Sequence, residues 1–327
     1  MGKVLTDNKQ SFIWAGLFHM GTNMWNDAIP EKGWEPYVGE YRHFLGAADH
    51  VRFDEKVWRS LTAHMVEVGM NMVVIDLGEA VSYPSHPELA VKGSWSVERF
   101  RKELARLRSM GLEPIPKLNF SATHDVWLKE YARMLSTETY YKVCADVIRD
   151  VCEMFDRPRL MHLGYDEESY EHQRDFNFFA ARQGELWWHD FLFLEKEVER
   201  HGVRPWIWSD YVWQHREEFF RRMPKSVVQS NWHYGGEFDF SKITKTRAAR
   251  IRIYEDFDKA GFDQIPAGSN WECDTNFAST VKYCRSVCSS EHLKGFLMTT
   301  WHFTLPQWVK KNLEAIDHVG AAIAAHQ

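Results

Sequence analysis

The sequence predicts an α/β protein whose fold is a (β/α)8 TIM barrel, a single domain over residues 1–327, and three observations predict it. Short apolar or aromatic runs alternate eight times with longer segments of helical period. Several of those helical segments end on a glycine just before the next apolar run. No stretch rich in Pro, Gly or Ser and no low-complexity tract divides the chain into parts.

In chain order, the strand candidates run from Phe12 to Met20, Met70 to Leu77, Glu113 to Phe120, Arg159 to Tyr165, Arg204 to Asp210, Val227 to His233, Gln264 to Trp271 and Gly295 to Trp301. The first intervening helix carries Val57, Leu61, Met65 and Val68, and the second carries Val97, Phe100, Leu104 and Leu107. Spacings of three or four residues put each set on one stripe, which packs on the barrel. Gly69, Gly111, Gly202 and Gly261 stand where a helix must stop, and a residue without Cβ can take the left-handed conformation there. Cys144 and Cys152 are two turns apart on a predicted helix and share its buried face. One connection is long: Gly21 to Asp54, with Trp25, Trp34, Tyr37 and Tyr41, is expected to form one wall of a pocket.

Composition excludes several classes of function. A chain of 327 residues with 44% apolar and 26% charged side chains is an ordinary globular protein. A net charge of -6 and the lack of a compact basic run argue against a nucleic-acid partner. No run of 18 apolar residues and no hydrophobic leader core occurs, so the expectation is a soluble chain with no membrane partner. It is cytoplasmic as given, or exported with its leader removed. The five cysteines are odd in number and lack ligand spacing, so they read as free thiols. Neither a metal nor another cofactor is expected, since no His-x-His, His-Glu-x-x-His, phosphate loop or serine elbow is present. Aromatic residues make up 15% of the chain, more than packing alone requires, so some are expected to line a site. Oligomeric state is not encoded in any of these features.

Barrel enzymes work at the carboxyl ends of their strands, and the polar residues there are numerous. They include His19, Asp76, Lys117, Asn119, His162, Asp166, Glu167, Asp210, Asn231, His233, Asn270 and His302, with Trp232, Trp271 and Trp301 among them. Asp166 and Glu167 follow the fourth strand, Leu160 to Leu163, after a glycine that permits close approach. Glycoside cleavage needs a protonated carboxyl at the leaving oxygen and a negative or nucleophilic group at the oxocarbenium-like centre. If Glu167 lies in the drier environment it serves as the acid while Asp166 stays ionised.

The string His162-Leu163-Gly164-Tyr165-Asp166-Glu167 resembles the His-x-Gly-Gly-Asp-Glu signature of the family 20 β-N-acetylhexosaminidases, with Tyr165 in place of the second glycine. Pro116-Lys117-Leu118-Asn119-Phe120 through His124 is similar to that family's third-strand segment, with Lys117 and Asn119 in place of its two acids. Trp206-Ile207-Trp208-Ser209-Asp210 and Trp301 also match in position. The family's arginine at the end of the first strand is missing, and Phe18-His19-Met20-Gly21 offers only a histidine.

The resemblance implies a retaining glycoside hydrolase that removes terminal β-linked N-acetylhexosamine by substrate assistance. Glu167 would be acid and then base, Asp166 would hold the 2-acetamido group, and Tyr234, or else Tyr211, would bind the acetamido oxygen. Trp232, Trp271 and Trp301 would box the sugar. His124 and His162 would orient the acids, and His19, Asn119 and Asp210 would complete the substrate contacts. The partner is therefore a carbohydrate. Two alternatives stand beside this: a glycosidase for sugars without an acetamido group, using Asp210 or Glu272 as second carboxylate, and a non-catalytic carbohydrate-binding barrel.

Overall fold

The computed structural model describes residues 12–28, 43–174 and 176–326. Eight strands form the frame: β1 (Ile13–His19), β2 (Met72–Asp76), β3 (Glu113–Lys117), β4 (Leu160–His162), β5 (Arg204–Trp208), β6 (Val228–Ser230), β7 (Ala267–Ser269) and β8 (Gly295–Thr299). Between and after them come α1 (Glu55–Glu67), α2 (Val97–Ser109), α3 (Glu138–Met154), the single turn α4 (Tyr170–Gln173), α5 (Glu185–Arg200), α6 (Arg216–Arg222), α7 (Lys245–Lys259), α8 (Asn276–Val287) and α9 (Val309–Ala324).

All ladders are parallel, in the order β6-β5-β4-β3-β2-β1-β8-β7. Ile265 N donates to Gln229 O at 2.9 Å and Ala267 N to Asn231 O at 3.0 Å, which joins β7 to β6 and closes the barrel. The predicted (β/α)8 fold is the observed one.

The strands read as unbroken apolar runs because both faces are buried. Along β1, Ile13, Ala15 and Leu17 enter the barrel interior, while Trp14 and Phe18 face the helices. Helix starts follow from short polar side chains: Asp54, Ser96, Thr137 and Thr244 each accept from the backbone N–H three residues on, capping α1, α2, α3 and α7. Helix stops follow at Gly69, Gly111, Gly202 and Gly261, with φ of 88°, 87°, 71° and 74°. Cys144 and Cys152 are buried on α3, as their spacing predicts, and all five cysteines are free.

Two departures shape the site. β4 pairs with β3 only at Lys117↔His162, because Pro114 and Pro116 lack the N–H groups that a longer ladder would use. From there the chain peels away instead of continuing as a strand to Tyr165, and it makes a second long connection, residues 163–184, that the apolar pattern did not announce. The first long connection is described only in part: Trp34, Tyr37 and Tyr41 lie outside the described residues, whereas Met24, Trp25 and Leu45 line the main cavity. No helix among the described residues is long and apolar enough to cross a membrane.

Candidate active site

A cavity of about 370 Å³ opens at the carboxyl ends of the strands. Its floor is the top layer of the barrel interior. The strand registers put His19, Asp76, Lys117 and His162 side by side in that layer. Lys117 Nζ donates to Asp76 Oδ2 at 2.7 Å, and His19 Nδ1 is 3.2 Å from the same oxygen. Burial acts to raise the Asp76 pKa, but Lys117 and His19 outweigh it and hold the carboxyl at about 2. His162 is fully buried against Trp206 and Trp208, at ring distances of 4.9 and 4.5 Å, and accepts from Gly164 N at 3.0 Å. Burial and the Lys117 charge push its pKa well down, so it is neutral. Of these four, only Lys117 lines the cavity; His19, expected at the substrate, and His162, expected to orient the acids, share its layer but do not reach the lining.

The acid pair sits on a tightly turned backbone: Gly164, Tyr165 and Glu167 have φ of 68°, 74° and 58°. At Gly164 the need for glycine is steric, since a Cβ would lie 2.4 Å from Asn119 Cγ. Tyr165, where the family motif has glycine, is fully buried and directed away from the cavity. Its ring packs on Trp187 at 5.1 Å, and the Arg182 guanidinium lies over it at 4.6 Å. Neighbouring loops hold the backbone from both sides. Ser121 Oγ donates to Asp166 O, Thr123 Oγ1 donates to Glu167 O at 2.7 Å, and Glu167 N donates to Asp210 Oδ2 at 3.0 Å.

The two carboxylates have different surroundings, in the opposite sense to the expectation. The Asp166 side chain is 11% exposed and that of Glu167 is 25% exposed, so Asp166 is the drier. Burial would raise the Asp166 pKa, but His124, Lys117 and the Asn119 amide outweigh it and hold the group ionised, well below the usual range. Asn119 Nδ2 donates to Asp166 Oδ1 at 3.1 Å. His124 stands between the acids, with Nδ1 3.5 Å from Asp166 Oδ1 and Nε2 3.7 Å from Glu167 Oε2. Burial works against its charge, yet the two carboxylates raise its pKa. His172 Nε2 approaches the other Glu167 oxygen at 3.3 Å. One donor atom each from His124, Asp166 and Glu167 lie within 4.8 Å of one another, so these three are the described residues able to hold a cation.

Aromatic rings form the rest of the wall. Trp232 stacks on Tyr234 at 5.1 Å and 21°, Tyr234 meets Trp301 at 6.3 Å, and Trp301 meets Trp208 at 5.8 Å. Burial raises the pKa of the Tyr234 hydroxyl, with the neighbouring Thr299 and Trp301 acting in the opposite sense. Trp271 lines the cavity as well, backed by His302 at 5.1 Å. Tyr211 is instead stacked on Trp187 at 3.8 Å, outside the cavity lining.

The structure thus brings Asp166, Glu167, Tyr234, Asn119, His124, Trp232, Trp271 and Trp301 to one cavity. Asp210 stands behind Glu167; burial and the two neighbouring acids push its pKa to about 7. Trp25 stands in the cavity wall, as expected of its loop; sequence reasoning gave no role to Trp208 and missed Arg250, both also in the wall, and it missed a buried clamp beneath the acid loop. In that clamp Arg182 pairs with Glu168 and with Asp190, the latter at 3.1 Å, and donates to Phe120 O at 2.7 Å. The signal for Trp208 was present in its place near a strand end; nothing local in the sequence marks Arg182 or Arg250.

No family model and no curated protein matches the sequence. Solved structures do. The GH20 exo-β-N-acetylglucosaminidase of Vibrio harveyi, solved with N-acetylglucosamine, is 13% identical with a TM-score of 0.58, covering 97% of this chain and 57% of that one. The GH20 β-N-acetylhexosaminidase of Streptomyces coelicolor is 12% identical with a TM-score of 0.60, covering 95% of this chain and 64% of that one. Dispersin B is 13% identical with a TM-score of 0.54, over 82% of this chain and 95% of its own. The chain therefore spans less than two thirds of the first two proteins. At such identities the likeness is one of fold, and in fold the chain is a divergent GH20-like barrel.

Proposed function

We propose that the chain is a retaining glycoside hydrolase that removes terminal β-linked N-acetylhexosamine by substrate assistance. The observation that carries this reading is the meeting of Asp166 and Glu167 with the Tyr234, Trp232 and Trp301 rings in one cavity of monosaccharide size. Glu167, protonated, gives its proton to the glycosidic oxygen as the bond to the anomeric carbon breaks. The ionised Asp166 accepts from the acetamido N–H and turns the acetamido carbonyl oxygen towards the anomeric carbon, where it closes an oxazolinium ring. Tyr234 donates to that oxygen and the aromatic wall covers the sugar faces. Water then attacks the anomeric carbon, the bond from that carbon to the acetamido oxygen breaks and restores the acetamide, and Glu167 takes the proton that the water gives up. His124 and His172, one at each Glu167 oxygen, stabilise the carboxylate left after the first proton transfer.

Glu167→Gln and Asp166→Asn should each lower hydrolysis of an aryl N-acetylhexosaminide by at least about a hundredfold. The Glu167→Gln loss should shrink for a dinitrophenyl leaving group, which needs no protonation. Full activity in either variant would sink the roles, and sugar binding without hydrolysis by the unaltered chain would mark a binding protein. A second reading rests on Glu272, which lines the same cavity and could act as a partner carboxylate. Equal turnover of glycosides with and without the acetamido group would favour it.

A further inference from the structure

Three basic side chains line the cavity: Lys117, His124 and Arg250. Lys117 is paired with Asp76, and His124 stands between Asp166 and Glu167. Arg250 differs. Among the described residues no carboxylate oxygen lies within ion-pair distance of its guanidinium, and its Nε is buried without a hydrogen-bond partner. Other buried or half-buried arginines are paired: Arg182 with Glu168 and Asp190, Arg106 with Glu103, Arg204 with Asp263. A half-buried guanidinium whose Nε is withdrawn from water and which has no protein counter-charge among the described residues is open to one supplied by a ligand.

The side chain is also held in place. Its Cζ lies 4.0 Å from the Trp213 ring centroid, Trp213 Nε1 donates to Asn231 Oδ1 at 2.8 Å, and Asn231 Nδ2 donates to Arg250 O at 2.8 Å. These links tie the first turns of α7 to the end of β6, beside Trp232, which meets Trp213 at 4.5 Å. The neighbouring Arg247 is turned to Glu272 at 3.5 Å, so that cavity acid is already engaged. Burial lowers the Arg250 pKa, while Asp210 and Glu167 act in the opposite sense from further off.

We infer that Arg250 binds an anionic substituent, a carboxylate or a sulfate ester, carried by the sugar in this cavity. A planar guanidinium fixed on an indole face offers paired N–H donors to two oxygens of either group, and a ligand anion supplies the counter-charge that the described residues do not. The inference rests on the proposed carbohydrate site but not on its hydrolytic chemistry.

The test is calorimetric binding of N-acetylglucosamine, its 3-, 4- and 6-O-sulfates and glucuronic acid to the whole chain, its Arg250→Gln variant and its Arg250→Lys variant. At least one anionic sugar should bind about tenfold more tightly than the neutral one, as charge-assisted hydrogen bonds are stronger than neutral ones. Its identity decides between sulfate and carboxylate. The ratio of anionic to neutral affinity should collapse in Arg250→Gln and be partly kept in Arg250→Lys, a variant that retains the charge. Neutral binding with no anionic preference, or a preference unchanged in Arg250→Gln, overturns the inference alone. Hydrolysis absent with the preference present overturns only the hydrolase reading, and no sugar binding at all overturns both.

Discussion

Replacing Arg182 by methionine is the most informative perturbation of the fold around the acids. The guanidinium is 1% exposed, and the side chains of Glu168 and Asp190 that it joins are 3% and 0% exposed. Methionine keeps much of the volume but leaves two buried carboxylates without their cation. Breaking a buried pair from one side costs about 3–5 kcal/mol. With an unfolding entropy of about 2.1 cal/mol/K per residue, the 327 residues give about 0.7 kcal/mol/K, so the melting midpoint should fall by about 4–7 °C. Calorimetric melting reads this directly. Because the pair is dry, the shift should persist in high salt. The triple change Arg182→Met with Glu168→Gln and Asp190→Asn, which removes the stranded charges too, should recover part of the loss. Activity should fall as well, since Glu168 adjoins Glu167 and accepts from Ala122 N at 2.8 Å. A shift below about 1 °C, or a triple variant no better than the single one, would refute the reasoning on buried pairs.

Two further outcomes follow from the same region. The Asp125 carboxyl is buried and its pKa is pushed to about 8, chiefly by burial, with Glu168 adding to the rise and Arg182 opposing it. The folded chain then holds a proton that the unfolded chain releases near pH 4, so stability should decline as pH rises from about 4 to about 8. In Asp125→Asn that part of the decline should vanish, and denaturant titrations with parallel pH profiles in the two proteins would contradict it. Gly164→Ala brings a Cβ to 2.4 Å from Asn119 Cγ at a φ of 68°, displacing the amide that donates to Asp166. Its kcat/KM on an aryl N-acetylhexosaminide should drop by at least about tenfold, the worth of one charge-assisted bond at about 1.5–3 kcal/mol, and unchanged kinetics would show that the Asn119 contact is dispensable.

Much of the barrel was legible because a strand buried on both faces is a short apolar run, and Ile13–His19 could hardly be anything else. The acid pair was legible from its place after such a run. What misled was depth along a strand. His19 and His162 have the inward parity of Leu17 and Leu160, so they do enter the barrel, but they stop short of the cavity, where Asp76 engages the first and the Trp206 and Trp208 rings cover the second. Parity gives direction but not reach. Arg182 and Arg250 were not legible for another reason. An arginine in a polar stretch such as Ala180 to Glu185, or on the mixed helix Lys245–Lys259, has the pattern of a solvated charge. Its burial comes from partners such as Asp190, Phe120 and Trp213, set by loops whose course the local sequence does not specify.

The backbone under Asp166 and Glu167 is fastened by Ser121, Thr123 and Asp210, through carbonyl and amide groups and not through the acid side chains themselves. Amide variants of either acid therefore inherit an intact scaffold, with the cavity walls where they were. Such variants are suited to being baits: chemically silent copies that can be soaked in crude glycan mixtures, recovered with their cargo still seated, and used to read the natural ligand by mass spectrometry.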